Sequence, residues 1–230
     1  MISSLSYMLA AMVILHEALG NEEISIQTSH HLPSCRPTEG QIVPGALSLR
    51  YTRSLLARVE VCLVFNRRFI TENLPVELSA LTTNPSVQVP TAAELQRLTE
   101  EQAFLKIYQL LLTYTSLAHF VYNQTSSRLQ EEQLYCPEAR PNRSTALFNT
   151  QRNADQIQEL RCDVRLSSSA HGTLSQFQAA EQGSELLILY GYSDCSKRLL
   201  MDYGVAIGID QLLENIRTYL TFLVHNKSLF

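Results

Sequence analysis

The chain has 230 residues, 45% of them apolar and 17% charged, with a formal net charge of −4. This length holds one domain with a substantial core, and the lack of any basic run excludes the phosphate-neutralising surface that a nucleic-acid binder needs. No tryptophan and only eight glycines argue against aromatic stacking platforms and glycine-rich nucleotide loops.

Residues 1–20 read as a secretory signal. Tyr7 to Leu15, YMLAAMVIL, has the length of an h-region and is too short to span a bilayer. Ala18-Leu19-Gly20 supplies small residues for a peptidase and predicts cleavage before Asn21, although MISSLS carries no Lys or Arg. The competing reading is a buried N-terminal helix. No other stretch approaches the ~20 apolar residues of a membrane span, so the mature chain, 21–230, is expected to be one domain with no membrane insertion. Asn21 to Val43 is polar and proline-bearing and is expected to be an irregular leader. His30-His31 within it reads as a solvated pair, since no third metal ligand lies at a recognisable spacing.

The first long helix is predicted over 47–70. Tyr51, Leu55, Val59, Cys62 and Phe69 recur at helical steps, with Leu56, Leu63 and Ile70 widening the stripe. Arg50, Arg53, Arg58, Arg67 and Arg68 fall largely on other faces. Residues 73–90 carry Pro75, Pro85 and Pro90 and no periodicity. At roughly 3.3 Å per residue this loop can cross the length of a helix, so the next helix can run parallel to the first. Thr91-Ala-Ala-Glu94 is a capping box opening a second helix over 91–122. Its stripe is Leu95, Leu98, Leu105, Tyr108, Leu112, Thr115, His119 and Tyr122, interrupted once by Gln102. His119 reads as a core or boundary histidine.

A polar connector over 123–142 precedes a third, weaker helix over 144–166, with Leu147, Ala154, Ile157, Leu160 and Val164 inward. A second long connection over 167–196 begins Ser167-Ser168-Ser169. It contains Leu186 to Tyr190, LLILY, a strand or extended segment. The last helix, 199–224, is roughly 40 Å long. Leu200, Tyr203, Ile207, Leu213, Ile216, Leu220 and Leu223 form its stripe, with Asp210 the polar member. Gly204 and Gly208 there permit close approach of a helix or loop. The pattern predicts an all-α, four-helix bundle with long crossover loops, compatible with up-up-down-down threading.

The five cysteines form no CxxC pair, so in an oxidising compartment at most two bridges leave one thiol over. Cys62, inside a strong helix, is the candidate for a buried free thiol. Asn123, Asn142 and Asn226 head glycosylation sequons. There is no G-x-S-x-G, P-loop, H-E-x-x-H or strand-to-helix G-x-G-x-x-G, and no nucleophile is set beside a base. Neither an enzyme nor a cofactor or metal site is expected.

Tyr51-Thr-Arg-Ser-Leu-Leu56, the run from Val89-Pro90 to Leu117, Asn153-Ala-Asp155 with Ile157, Leu160 and Cys162, and Tyr203-Gly204 with Leu212, Ile216-Arg217 and Leu220 resemble helices A to D of the interleukin-6 superfamily. That superfamily comprises long-chain class I helical cytokines. The resemblance implies an extracellular, monomeric ligand that brings together class I cytokine receptor ectodomains, including one of the glycoprotein 130 type. It implies one receptor surface on the first and third helices at Arg50, Arg53, Arg58, Gln151, Arg152, Asp155 and Glu159. A second lies at the end of the last helix, at Arg217, Thr221 and His225. Members that bind the leukaemia inhibitory factor receptor present a Phe-x-x-Lys pair before the equivalent of Gly204. Here those positions hold Arg198 and Met201, so either that receptor is not used or it is engaged differently. The resemblance also implies a Cys35–Cys162 bridge, with Cys136–Cys195 as the second. Competing classes are a secreted carrier holding an apolar ligand between its helices and an uncleaved intracellular interaction module.

Overall fold

A computed structural model describes residues 22–27, 32, 35, 48–74, 87–130, 143–171, 174–182, 186–191 and 195–229. The predicted signal segment, His30-His31, Cys136 and Asn142 lie outside them. The described elements are strand β1 (Glu22–Gln27), helices α1 (Leu49–Asn73), α2 (Ala92–Gln96), α3 (Glu100–Gln130), α4 (Arg143–His171) and α5 (Leu174–Gln182), strand β2 (Leu186–Gly191) and helix α6 (Cys195–Lys227). The fold is all-α with one two-stranded antiparallel ribbon, in which Glu22 faces Gly191 and Gln27 faces Leu186. LLILY is therefore a strand. Part of the expected irregular leader is its partner, a correction whose cause is pairing between segments far apart in sequence, which local periodicity does not register.

Ser48 caps α1: its extended backbone lets the side chain accept from the Tyr51 amide at 3.2 Å. The helix ends where Leu74 turns extended before Pro75. Its buried face holds Leu55, Val59, Cys62, Leu63 and Phe69 as expected, and also Thr52, Asn66 and Asn73. The expected helix over 91–122 is two helices. The Thr91–Glu94 capping box forms, with Thr91 N–H donating to Glu94 Oε2 at 2.7 Å, but it caps only the short α2. A second capping box follows at once. The Thr99 amide donates to Gln102 Oε1 and the Gln102 amide to Thr99 Oγ1, each at 3.2 Å. The apparent interruption at Gln102 is thus the start signal of α3. α3 also outruns its predicted end by running to Gln130, so Asn123 sits in a helix and not in a connector.

Three further boundaries differ. α4 continues through Ser167–Ser169 to His171, because small polar residues weaken a helix without stopping it. The expected connection holds α5, whose Phe177 is fully buried with its ring 4.8 Å from that of Tyr108. α6 starts at Cys195. Its buried face keeps Tyr203, Leu213, Ile216, Leu220 and Leu223 of the predicted stripe and widens to Asp202, Ala206, Ile209, Leu212 and Tyr219, while Leu200 and Ile207 are only half-buried.

The long helices pack around one apolar cluster. From Leu110 to Ala118, α3 is buried on every side, the mark of a central helix. Along α1 the partners on α4 fall in number as α1 rises. Tyr51 bonds the Asp163 carbonyl, Cys62 that of Gln156 at 3.3 Å, Asn66 the Asn153 amide at 3.2 Å, and Asn73 the Ala146 carbonyl at 3.2 Å. The two helices are antiparallel. So are α3 and α6, since Lys227 meets Glu100 at 2.8 Å, Tyr219 meets Phe104 edge-on, and Tyr114 covers Gly208. Tyr108 bonds Arg161 and Asp155 acts on His119, which makes α3 antiparallel to α4 as well.

Candidate functional site

Of the residues implied on the first and third helices, Arg58, Arg152 and Glu159 meet across the outer seam of α1 and α4, whereas Asp155 acts on His119 of α3. Arg58 on α1 reaches Glu159 at 2.9 Å and Asp163 at 3.1 Å on α4. Burial raises the Asp163 pKa, with Arg58 opposing. Further along, Arg152 lies over the Phe65 ring, 5.0 Å from its centroid, and Asn149 Nδ2 donates to Glu72 Oε2 at 3.0 Å. Glu72 in turn pairs with Arg68 at 2.8 Å, four residues back on α1. The seam is therefore stitched by charge. Arg58 and Glu159 are already engaged with each other, while Arg50, Arg53, Gln151 and Arg152 are exposed and Asp155 is half-buried.

Sequence reasoning listed only polar members of this surface and missed its apolar ones. Phe148 is 60% exposed and Val61 41%. Both fall on the seam side, Phe148 one turn from Arg152 and Val61 one turn from Phe65. The available signal was Phe148 standing off the inward stripe beside Leu147. A large exposed aromatic flanked by a stacked guanidinium is the composition of an interface centre.

The end of α6 is arranged differently. Arg217 pairs with Glu214 at 2.6 Å. Glu214 also meets Arg67 of α1, which binds Asp210 at 3.0 Å. These contacts explain why the polar member of the predicted stripe does not sit in the core. Thr221 is exposed, its hydroxyl donating to the Arg217 carbonyl at 2.8 Å, and His225 is exposed one turn on. Lys227 ties this end to the start of α3 through Glu100. At the other end of α6, Met201 packs against the core and Arg198 is half-buried. The seam and the α6 end are separate surfaces, and no hydrogen bond or ion pair among the described residues joins the implied residues of one to those of the other.

Cys35 and Cys162 form a disulfide with Cα atoms 5.3 Å apart, tying the N-terminal segment to α4. Cys62 is a buried free thiol, pushed up to about 12 by burial. Asn123 is exposed on α3, and Asn226 is half-buried in the last turn of α6. Among the described residues no group of His, Cys, Asp and Glu is placed to hold a metal, and no helix is long and apolar enough to cross a membrane. Comparison of the chain with protein-family models, with curated proteins and with solved structures finds no match.

Proposed function

We propose that this protein is a secreted ligand of class I cytokine receptors, of the interleukin-6 superfamily type. In this reading α1, α3, α4 and α6 form a four-helix bundle threaded up-up-down-down. The observation that carries it is the sense of the helix pairs. α1 and α3 are each antiparallel to α4, and α3 is antiparallel to α6. Successive helices α1 and α3 then run the same way, as do α4 and α6, which is the threading that needs two long connections. The Cys35–Cys162 bridge fits an oxidising compartment and joins the elements that the resemblance joins.

Function follows from presenting separate rigid surfaces to two receptor chains. The α1–α4 seam meets a glycoprotein 130-type ectodomain through Phe148, Val61 and Arg152, with the ion-paired Arg58, Glu159 and Asp163 as the rim. The end of α6, with Arg217, Thr221 and His225, meets a second chain. Because Arg58 is held by two carboxylates, it contributes orientation and steering more than new binding energy. The protein is a monomer with no cofactor and no catalytic step. Among the described residues, the cavity where the four long helices meet does not suit the competing carrier function. This cavity, lined by Phe69, Ala118, Val121, Thr150, Asn153, Val205, Ala206 and Ile209, has a volume of about 10 Å³, room for one water, whereas sites for apolar ligands run to hundreds of Å³.

The test is co-precipitation of the secreted protein with a panel of class I receptor ectodomains, followed by phosphorylation of the downstream transcription factor in responsive cells. Capture of two different ectodomains is expected. Failure to bind any of them overturns the reading, and recovery of a secreted-fraction chain that still begins at Met1 overturns its premise.

A further inference from the structure

We propose that the interior cavity is a specific site for a single buried water molecule, held at the junction of α1, α3, α4 and α6. Its lining draws on all four helices: Phe69 from α1, Ala118 and Val121 from α3, Thr150 and Asn153 from α4, and Val205, Ala206 and Ile209 from α6. Most of that lining is hydrocarbon, and a purely apolar cavity of this size stays dry. The difference here is Asn153. It is 5% exposed, and its Oδ1 has no hydrogen-bond partner in the protein.

The orientation of that carboxamide is fixed by a chain of hydrogen bonds. Asn153 Nδ2 donates to Asn66 Oδ1 at 3.2 Å, and Asn66 Nδ2 donates to the Ala206 carbonyl at 2.9 Å. Flipping Asn153 sets its oxygen against Asn66 Oδ1. Flipping both sets Asn66 Oδ1 against the Ala206 oxygen. Only one arrangement gives each amide nitrogen in the relay an acceptor, and it leaves Asn153 Oδ1 to be satisfied from elsewhere. Thr150, the other polar side chain on the lining, spends its hydroxyl hydrogen on the Ala146 and Leu147 carbonyls at 2.9 and 3.0 Å. Its oxygen lone pairs remain as acceptors. The site thus offers two acceptors, which suits a molecule with two hydrogens to give. A water donates one to Asn153 Oδ1 and one to Thr150 Oγ1, and the available volume admits nothing larger.

The test is Val205→Ile, which adds one methylene towards the cavity and touches no polar group, compared with the wild type, Asn153→Leu and the double variant. Water-to-methyl cross-relaxation is read at Val205 or its replacement and at Ile209, alongside the urea midpoint of each protein. The wild type is expected to show a long-lived water signal at these methyls, and Val205→Ile to lose it. Val205→Ile should lower the midpoint in the wild-type background, because the Asn153 carbonyl is stranded. It should raise the midpoint or leave it level in the Asn153→Leu background, where the Asn153 carbonyl is gone. Absence of the signal in the wild type overturns the proposal. So does a Val205→Ile midpoint that shifts by the same amount in both backgrounds, since that is the behaviour of a dry gap.

Discussion

Gly204 and Gly208 look equivalent in the sequence, yet a single added methyl should act on them in opposite directions. At Gly204 a Cβ meets nothing within 4 Å, so Gly204→Ala takes the usual gain for removing glycine from a helix interior, about 1 kcal/mol. At Gly208 the same atom lies 2.7 Å from Tyr114 Cε1 and 2.9 Å from its Cζ. Tyr114 cannot swing away: it is 1% exposed, and its hydroxyl donates to the Val87 carbonyl at 3.4 Å. Overpacking of this kind costs about 1–3 kcal/mol. Because the ring is trapped, the upper part of that range applies, and after the helix gain Gly208→Ala is left about 1–2 kcal/mol less stable than wild type. The two variants should therefore differ by about 2–3 kcal/mol, or roughly 5–10 °C in midpoint for a chain of this size. Urea unfolding followed by circular dichroism, with unchanged slopes, measures this directly. Tyr114→Phe in the Gly208→Ala background, which removes the nearest atom, should return part of the loss. Equal stabilisation by both alanines would refute the close packing of α3 on α6.

Thr99→Ala removes one half of the second capping box and should cost about 1 kcal/mol, read as a lower urea midpoint, whereas α3 as a simple continuation of α2 predicts no loss. Burial holds the His119 pKa below its usual value, with Asp155 acting against it and Arg161 in the same direction. The unfolded chain then binds the proton more readily than the folded one. Stability is complete above about pH 6.5 and declines as pH falls through the unfolded value towards the folded one; thermal scans from pH 8 to 5 should show that component vanish in His119→Gln. Replacing both Cys35 and Cys162 by serine opens a link spanning 127 residues and should cost about 2–5 kcal/mol. Titration of Cys62 by a thiol reagent should remain negligible in the native protein, and fast native labelling would contradict its burial.

The helices were legible because their signals are local. Leu55, Val59, Cys62 and Phe69 step along one face, and Thr91 with Glu94 marks a start whatever follows. What escaped is set by contacts between distant segments. Gln102 looks like a flaw in a stripe until the Thr99 amide is seen donating to it. Asp210 looks like a buried charge until Arg67, far earlier in the chain, draws it outward. Asn66 and Asn153 are ordinary polar residues in the sequence, and only their meeting between α1 and α4 makes them interior. The candidate surface followed the same rule. The grouping of Arg58 with Glu159 came from resemblance and is a geometric fact of the fold. Phe148 does not stand out in the sequence, because periodicity says which residues turn inward and does not rank those that turn out.

The most direct measurement of the central claim is equilibrium binding of the purified protein to an immobilised glycoprotein 130-type ectodomain, wild type beside Phe148→Ala. Phe148 is largely exposed, so the variant should keep the wild-type unfolding midpoint. The receptor reading predicts saturable binding that weakens by about tenfold or more, the loss of an interface anchor worth at least ~1.4 kcal/mol. No binding by the wild type, or equal binding by both proteins, would contradict it.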